Sequence, residues 1–137
     1  MPIKPENKHR YPKNWPEIRE RTRQRAGNKC EQCKVQNHSF ICRGRWNGID
    51  VYQDDNGAIF SAADGRIITQ NYVGDLEGNV RFIKVVCTTA HLDHNPENNV
   101  DTNLRFWCQR CHNRYDRKHR DHTIKESKLK GQLTLTL

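Results

Sequence analysis

Residues 87–120 read CTTAHLDHNPENNVDTNLRFWCQRCHNRYDRKHR. Thr88-Thr89-Ala90-His91-Leu92-Asp93-His94 alternates as a strand does, successive side chains facing opposite ways. Asn95-Pro96-Glu97-Asn98-Asn99 stops it, because proline cannot continue a hydrogen-bonded ladder and asparagines favour turns. Asn103-Leu104-Arg105-Phe106-Trp107 predicts a second short strand, with a Cys108-x-x-Cys111 knuckle after it. His112 opens a polar, basic helical stretch that includes Arg114, Tyr115, Arg117 and Lys118. The order is strand, turn, strand, knuckle, helix.

The knuckle has a counterpart upstream. Cys30-x-x-Cys33 precedes Cys108-x-x-Cys111 with 74 residues between the pairs. Cysteines at that spacing turn their thiolates the same way, and two such pairs complete a tetrahedral four-sulfur shell, which suits structural Zn²⁺. Gly27-Asn28-Lys29 before the first pair and the basic residues around the second favour thiolate. Cys42 and Cys87 are left over and read as small core residues. A disulfide scaffold would need a secreted chain, and MPIKPENKHR at the amino end has no apolar stretch of the signal-peptide kind.

Outward from the knuckles the punctuation is readable. Residues 1–13, with three prolines and mixed charge, predict a flexible N-terminal arm. Pro16 and Gly27 frame a helix of about ten residues whose face from Trp15 through Ile18 and Thr22 to Ala26 can pack. Residues 40–86 predict a β-rich insert, in which glycines interrupt short strand candidates at 49–52, 58–60, 66–69 and 81–86. Asp64-Gly65 predicts a hairpin turn. Residues 14–123 thus form one expected domain of α+β class, and 124–137 a C-terminal tail.

Composition narrows the function classes. The 137 residues are only 34% hydrophobic, a small core for the length, so a metal staple has work to do. No apolar run exceeds three residues, which excludes a transmembrane helix of about 20 and predicts a soluble, intracellular protein. The net charge of +8 is unevenly spread. Residues 1–29 and 105–137 each carry nine basic and three acidic side chains, whereas 30–104 carry six and ten. Two basic ends around an acidic middle predict phosphate-facing surfaces.

Asp93-His94, then Asn103, then Cys108-x-x-Cys111-His112 resembles the HNH endonuclease motif of the ββα-metal fold. More narrowly it is similar to small phage and bacterial HNH proteins with a four-cysteine zinc site. The motif covers roughly residues 87–120, and the zinc pairing extends the match back to about residue 27. The resemblance implies an α+β fold with a ββα-metal core, and metal-dependent hydrolysis of DNA phosphodiester bonds. It implies His94 as general base, Asn103 as the residue that orients it, and Asp93 with His112 as ligands of a catalytic divalent ion. That ion would be Mg²⁺, Mn²⁺ or another divalent transition metal, in addition to the structural zinc at Cys30, Cys33, Cys108 and Cys111. Adjacent strand residues point to opposite faces, so Asp93 and His94 share a site only if the turn at Pro96 re-aims one.

The family's last helix lies on DNA, so the resemblance assigns phosphate contacts to Arg110, Arg114, Arg117, Lys118 and Arg120. Such contacts supply affinity without a sequence code, and the expected activity is a weakly sequence-specific nickase of double-stranded DNA. The arginines of residues 17–26 are a second phosphate-contact candidate. A double cut would take a homodimer or two successive nicks. The implied location is the cytoplasm of a bacterial cell or a phage-infected host. Alternatives stay open at this level. His91 shares a strand face with Asp93 and is a competing ligand or base. His112 competes with Cys111 for the zinc shell, and His119 can approach the metal or a phosphate. The whole chain also reads as a non-catalytic zinc-ribbon nucleic-acid-binding module, or as an accessory nuclease in a larger phage DNA-processing complex.

Overall fold

A computed structural model of the chain describes residues 5–70, 72, 76–77 and 81–121. The expected tail at 124–137, together with His122, Gly74 and Gly78, lies outside the described residues. The class is mixed α and β, as the punctuation predicts.

Helix α1 (Trp15–Arg25) has proline in its first turn and Gly27 at φ +66° beyond its end. Trp15, Ile18 and Thr22 recur at helical spacing and are buried, the first two against Leu104. Thr22 satisfies its hydroxyl locally, donating to the Ile18 carbonyl. The last turn is tied down by Arg25, which donates to the carbonyls of Asp101 (2.8 Å) and Leu104 (2.6 Å) and meets Glu31 at 2.7 Å. Arg21 pairs with Asp101, and Arg23 with Glu20. The arginine face expected to meet phosphate is therefore largely committed within the protein, with Arg19 outside these pairs. The arm also departs from expectation. Pro5–Arg10 forms a 3-10 helix, Tyr11 packs 5.1 Å from Trp15, and Arg10 reaches Glu97 at 3.2 Å. The ring of Tyr11 gives the segment an apolar anchor that its proline content conceals.

The insert is a five-stranded antiparallel sheet of β1 (Phe40–Trp46), β2 (Ile49–Gln53), β3 (Ile59–Ser61), β4 (Ile67–Thr69) and β5 (Phe82–Lys84), in the order β4-β3-β2-β1-β5. Four of these fall on the strand candidates. β1 does not, because Arg43, Gly44 and Arg45 break up its apolar pattern. Both of its faces are nonetheless used. Ile41, Arg43, Tyr52 and Phe60 share one face by register, and Cys42, Val51 and Ile59 share the other. The first packs toward the cysteines; the second, with Leu76, forms a small core of its own. Gly44 is required on that second face, where a Cβ would lie 2.7 Å from the Glu77 carbonyl and 2.8 Å from Leu76 Cβ.

Strands β6 (Cys87–His91) and β7 (Leu104–Cys108) pair antiparallel, from Cys87 opposite Cys108 to His91 opposite Leu104. A helix, α2, follows directly and spans 109–121 among the described residues. It begins three residues earlier than the sequence suggests, and β6 ends three residues sooner than expected. The main core gathers Ile41, Tyr52, Val85, Ala90, Phe106 and Trp107 around the four paired cysteines. No helix among the described residues is long and apolar enough to cross a membrane.

Candidate functional site

The two knuckles meet as the spacing predicts. Sulfur atoms of Cys30, Cys33, Cys108 and Cys111 all lie within 4.8 Å of one another, and all four residues are buried. Cys33 and Cys108 are 3.6 Å apart at sulfur. A tetrahedral shell with zinc–sulfur bonds of about 2.3 Å sets neighbouring sulfurs about 3.8 Å apart, so the cluster fits that ion. Its electrostatics suit a cation. Hydrogen bonds from Cys111, Cys30 and Cys33 hold the Cys108 thiol far below its ordinary pKa, while Cys108 in turn drives the pKa of the Cys111 thiol far up. Four thiolates can coexist here only with a positive ion among them.

Local backbone explains the knuckles. In the first, the Cys30 N–H bonds the Val35 carbonyl, the Lys34 N–H bonds the Cys30 carbonyl, and Lys34 takes φ +63° to close the turn. The second is made where β7 runs into α2. Cys42 and Cys87 are buried outside the cluster. Burial pushes the Cys87 thiol up to about 12, which keeps it protonated and inert. The insert grips the first knuckle from outside. The Tyr52 hydroxyl donates to the Cys33 carbonyl at 2.8 Å, Gln32 donates to Ala63, and the Asp64-Gly65 turn sits against Cys33 and Lys34.

Beside this centre, the loop after β6 and the exposed side of α2 bring histidines together. His94 has φ +58°, a left-handed conformation uncommon for a non-glycine residue. That turn, closed by the His94 N–H on the His91 carbonyl, breaks the alternation that would send Asp93 and His94 to opposite faces. Nε2 of His94 lies 3.2 Å from Oδ1 of Asp116, and Nε2 of His112 lies 3.4 Å from Oδ2 of the same carboxylate. The His94 ring stacks on Tyr115 (centroids 5.3 Å apart) and on His119 (3.8 Å). Tyr115 donates its hydroxyl to the Leu92 carbonyl, holding the loop to the helix. On its other nitrogen, His112 meets the Thr88 hydroxyl at 3.1 Å. Burial lowers the basicity of His112, partly opposed by Asp116.

The remaining site candidates lie elsewhere or act differently. Asp93 accepts from Asn98 (2.8 Å), Asn103 (2.9 Å) and the Asn95 N–H (2.9 Å), and these bonds hold its carboxyl down to about 2. Its hydrogen bonds go to this asparagine set rather than to His112. Asn103 is buried and bonds the N–H and carboxylate of Asp93 and the Asn98 carbonyl. It steadies the loop carrying His94 without touching the imidazole. His91 sits apart, stacked on Trp15 at 5.1 Å and bonded to Asn99. His112 faces Asp116 and Thr88, outside the four-sulfur cluster. Arg110 is spent on Asp50 (3.1 Å) and the Ala62 carbonyl, tying α2 to the insert. Arg114, Arg117, Lys118 and Arg120 are exposed. The residue that the sequence reading overlooks is Asp116. Its signal is its place four residues after His112, one turn along the same helix face.

Comparison with protein-family models, curated proteins and solved structures finds no match for the chain.

Proposed function

We propose that the chain is a metal-dependent endonuclease of the HNH type, hydrolysing phosphodiester bonds of double-stranded DNA with weak sequence preference. The observation carrying this reading is one carboxylate, Asp116, standing between His94 and His112 where a two-stranded hairpin meets its following helix. Phosphodiester hydrolysis needs a base for water, neutralisation of the charge developing on phosphate, and stabilisation of the leaving oxygen.

The cluster has suitable groups for each. With its Nε2 proton turned to Asp116, His94 keeps a lone pair on Nδ1 to take the proton of water, and the carboxylate stabilises the imidazolium that forms. His112 offers a nitrogen ligand of lowered basicity, ready to bind a divalent cation in its neutral form. When Nε2 is the ligand, Nδ1 carries the proton and donates it to Thr88, which fixes the tautomer. The resemblance points to Asp93 as the oxygen ligand. The contacts favour Asp116, since Asp93 spends its oxygens on asparagines. A bound divalent ion would supply Lewis acidity at the phosphate. Arg114, Arg117, Lys118 and Arg120 would meet the backbone of the duplex.

The test is relaxation of supercoiled plasmid with Mg²⁺ or Mn²⁺ against EDTA, using zinc-loaded wild type, His94→Ala, Asp116→Asn and Asp93→Asn. Metal-dependent open circles from wild type, with His94→Ala and Asp116→Asn each at least a hundredfold slower, are expected. Asp93→Asn should lose far less. Binding of DNA by all four proteins without products would leave a zinc-ribbon binding module as the better account.

A further inference from the structure

Arg43 lies on β1, on the sheet face that Ile41 and Tyr52 share and that packs toward the cysteine cluster. Its Nη2 is 3.6 Å from Cys108 Sγ, and its guanidinium carbon is 5.9 Å from the Tyr52 ring centre. Nη1 is buried with no hydrogen-bond partner. Among the described residues, no carboxylate lies within ion-pair distance of it. A guanidinium stays protonated in proteins. A cation is thus held in a partly dry setting with no acid opposite, an arrangement that costs free energy unless negative charge answers it. Four thiolates around one zinc ion leave a net double negative charge, and they stand at the tip of this side chain.

We propose that Arg43 is the charge-compensating outer partner of the four-cysteine metal centre, donating an N–H to the Cys108 thiolate. The β-rich insert thereby contributes to metal retention, not only to packing, and its removal exposes the thiolates to electrophiles. Arg43 enters from β1, the strand whose apolar pattern Arg43, Gly44 and Arg45 break up. The inference concerns the sulfur site alone and stands or falls separately from the nuclease reading.

Zinc retention decides it. Wild type, Arg43→Lys and Arg43→Met are loaded with one zinc and titrated with a chromophoric chelator, and zinc release is timed after addition of a thiol-reactive disulfide. Replacing a metal site's outer partner weakens affinity about 10- to 100-fold. Arg43→Met should fall in that range and release zinc correspondingly faster, while Arg43→Lys, which keeps the charge, recovers most of the loss. In the cobalt-substituted proteins, the sulfur-to-cobalt charge-transfer band should shift to lower energy in Arg43→Met and stay near the wild-type position in Arg43→Lys. Zinc affinity of Arg43→Met within twofold of wild type, or Arg43→Lys as poor as Arg43→Met, would overturn the proposal. Should Arg43→Met fail to fold with zinc, Arg43→Lys decides against wild type: a loss below about tenfold supports charge compensation, and a larger one refutes it.

Discussion

Asn103 offers the sharpest test of how the histidine loop is held. Its side chain is 8% exposed and makes three hydrogen bonds, donating to Asp93 Oδ1 and the Asn98 carbonyl and accepting from the Asp93 N–H. Substitution by alanine removes all three. The Asp93 carboxylate is open to solvent, so water offsets most of that bond and the sum rests on the two bonds to backbone. The two backbone bonds are each worth about 1 kcal/mol net, giving an expected loss of about 2 kcal/mol. At about 4 °C per kcal/mol for a domain of this size, the melting temperature falls by about 8 °C. The assay is urea and thermal unfolding with zinc at a fixed free concentration, because bound metal adds to apparent stability. A second readout is local. Bonds from Asn98, Asn103 and the Asn95 N–H hold the Asp93 carboxyl near 2 against an ordinary 3.8. A depressed acid stabilises the native loop above its unfolded value and loses that contribution as pH falls through about 3.8 toward 2. Carboxyl NMR of Asn103→Ala should show Asp93 titrating closer to 3.8. A stability loss below 0.5 kcal/mol (roughly half of one such bond), or an Asp93 titration unchanged from wild type, would refute the reasoning.

Other outcomes follow from the same contacts. Elemental analysis should find one zinc per chain, with Cys108→Ser losing it and Cys87→Ala and Cys42→Ala retaining it, because only the first belongs to the four-sulfur cluster. Gly65→Ala should destabilise by about 1–3 kcal/mol, since Gly65 has φ +77° and an added Cβ would lie 2.3 Å from the Cys33 carbonyl; unchanged unfolding would contradict that packing. Leu104→Ala should cost about 3 kcal/mol, as Leu104 of β7 is fully buried against Trp15 and Ile18 of α1, and chemical denaturation measures it. If the exposed cations Arg114, Arg117, Lys118 and Arg120 each meet a phosphate, the logarithm of the DNA affinity should fall against log salt with a slope of about −3.6. Arg114→Ala should lower that slope by about 1 and Arg110→Ala should leave it unchanged.

The legible parts of the fold share one property: their signal is local. Two cysteine pairs in knuckle spacing announce a single four-sulfur site. Trp15, Ile18 and Thr22 announce the buried stripe of α1, and Asp64-Gly65 announces a hairpin that forms with the Ser61 N–H on the Arg66 carbonyl. What escaped reading depended on partners far along the chain. β1 looks polar because Arg43 answers the cysteines and Gly44 makes room for Leu76, and neither neighbour is near in sequence. The arginines of α1 look free until Asp101, Leu104 and Glu31 are brought to them. In the candidate site, His94 and His112 are named by their motif, but Asp116 appears as one more acid in a charged helix.

The sequence by itself determined the four-sulfur cluster, the α+β class and the stretch that supplies the histidines, because each rests on spacing within a few residues or on residue chemistry that any fold must honour. Tertiary structure alone decided which side chains are available. The left-handed turn at His94 moved it off the strand's alternation and onto Asp116. Asn98 and Asn103 occupied Asp93, and Asp50 occupied Arg110. A charged or polar side chain takes its role from whatever stands within about 3–4 Å of it, and that neighbour is set only when the chain closes on itself.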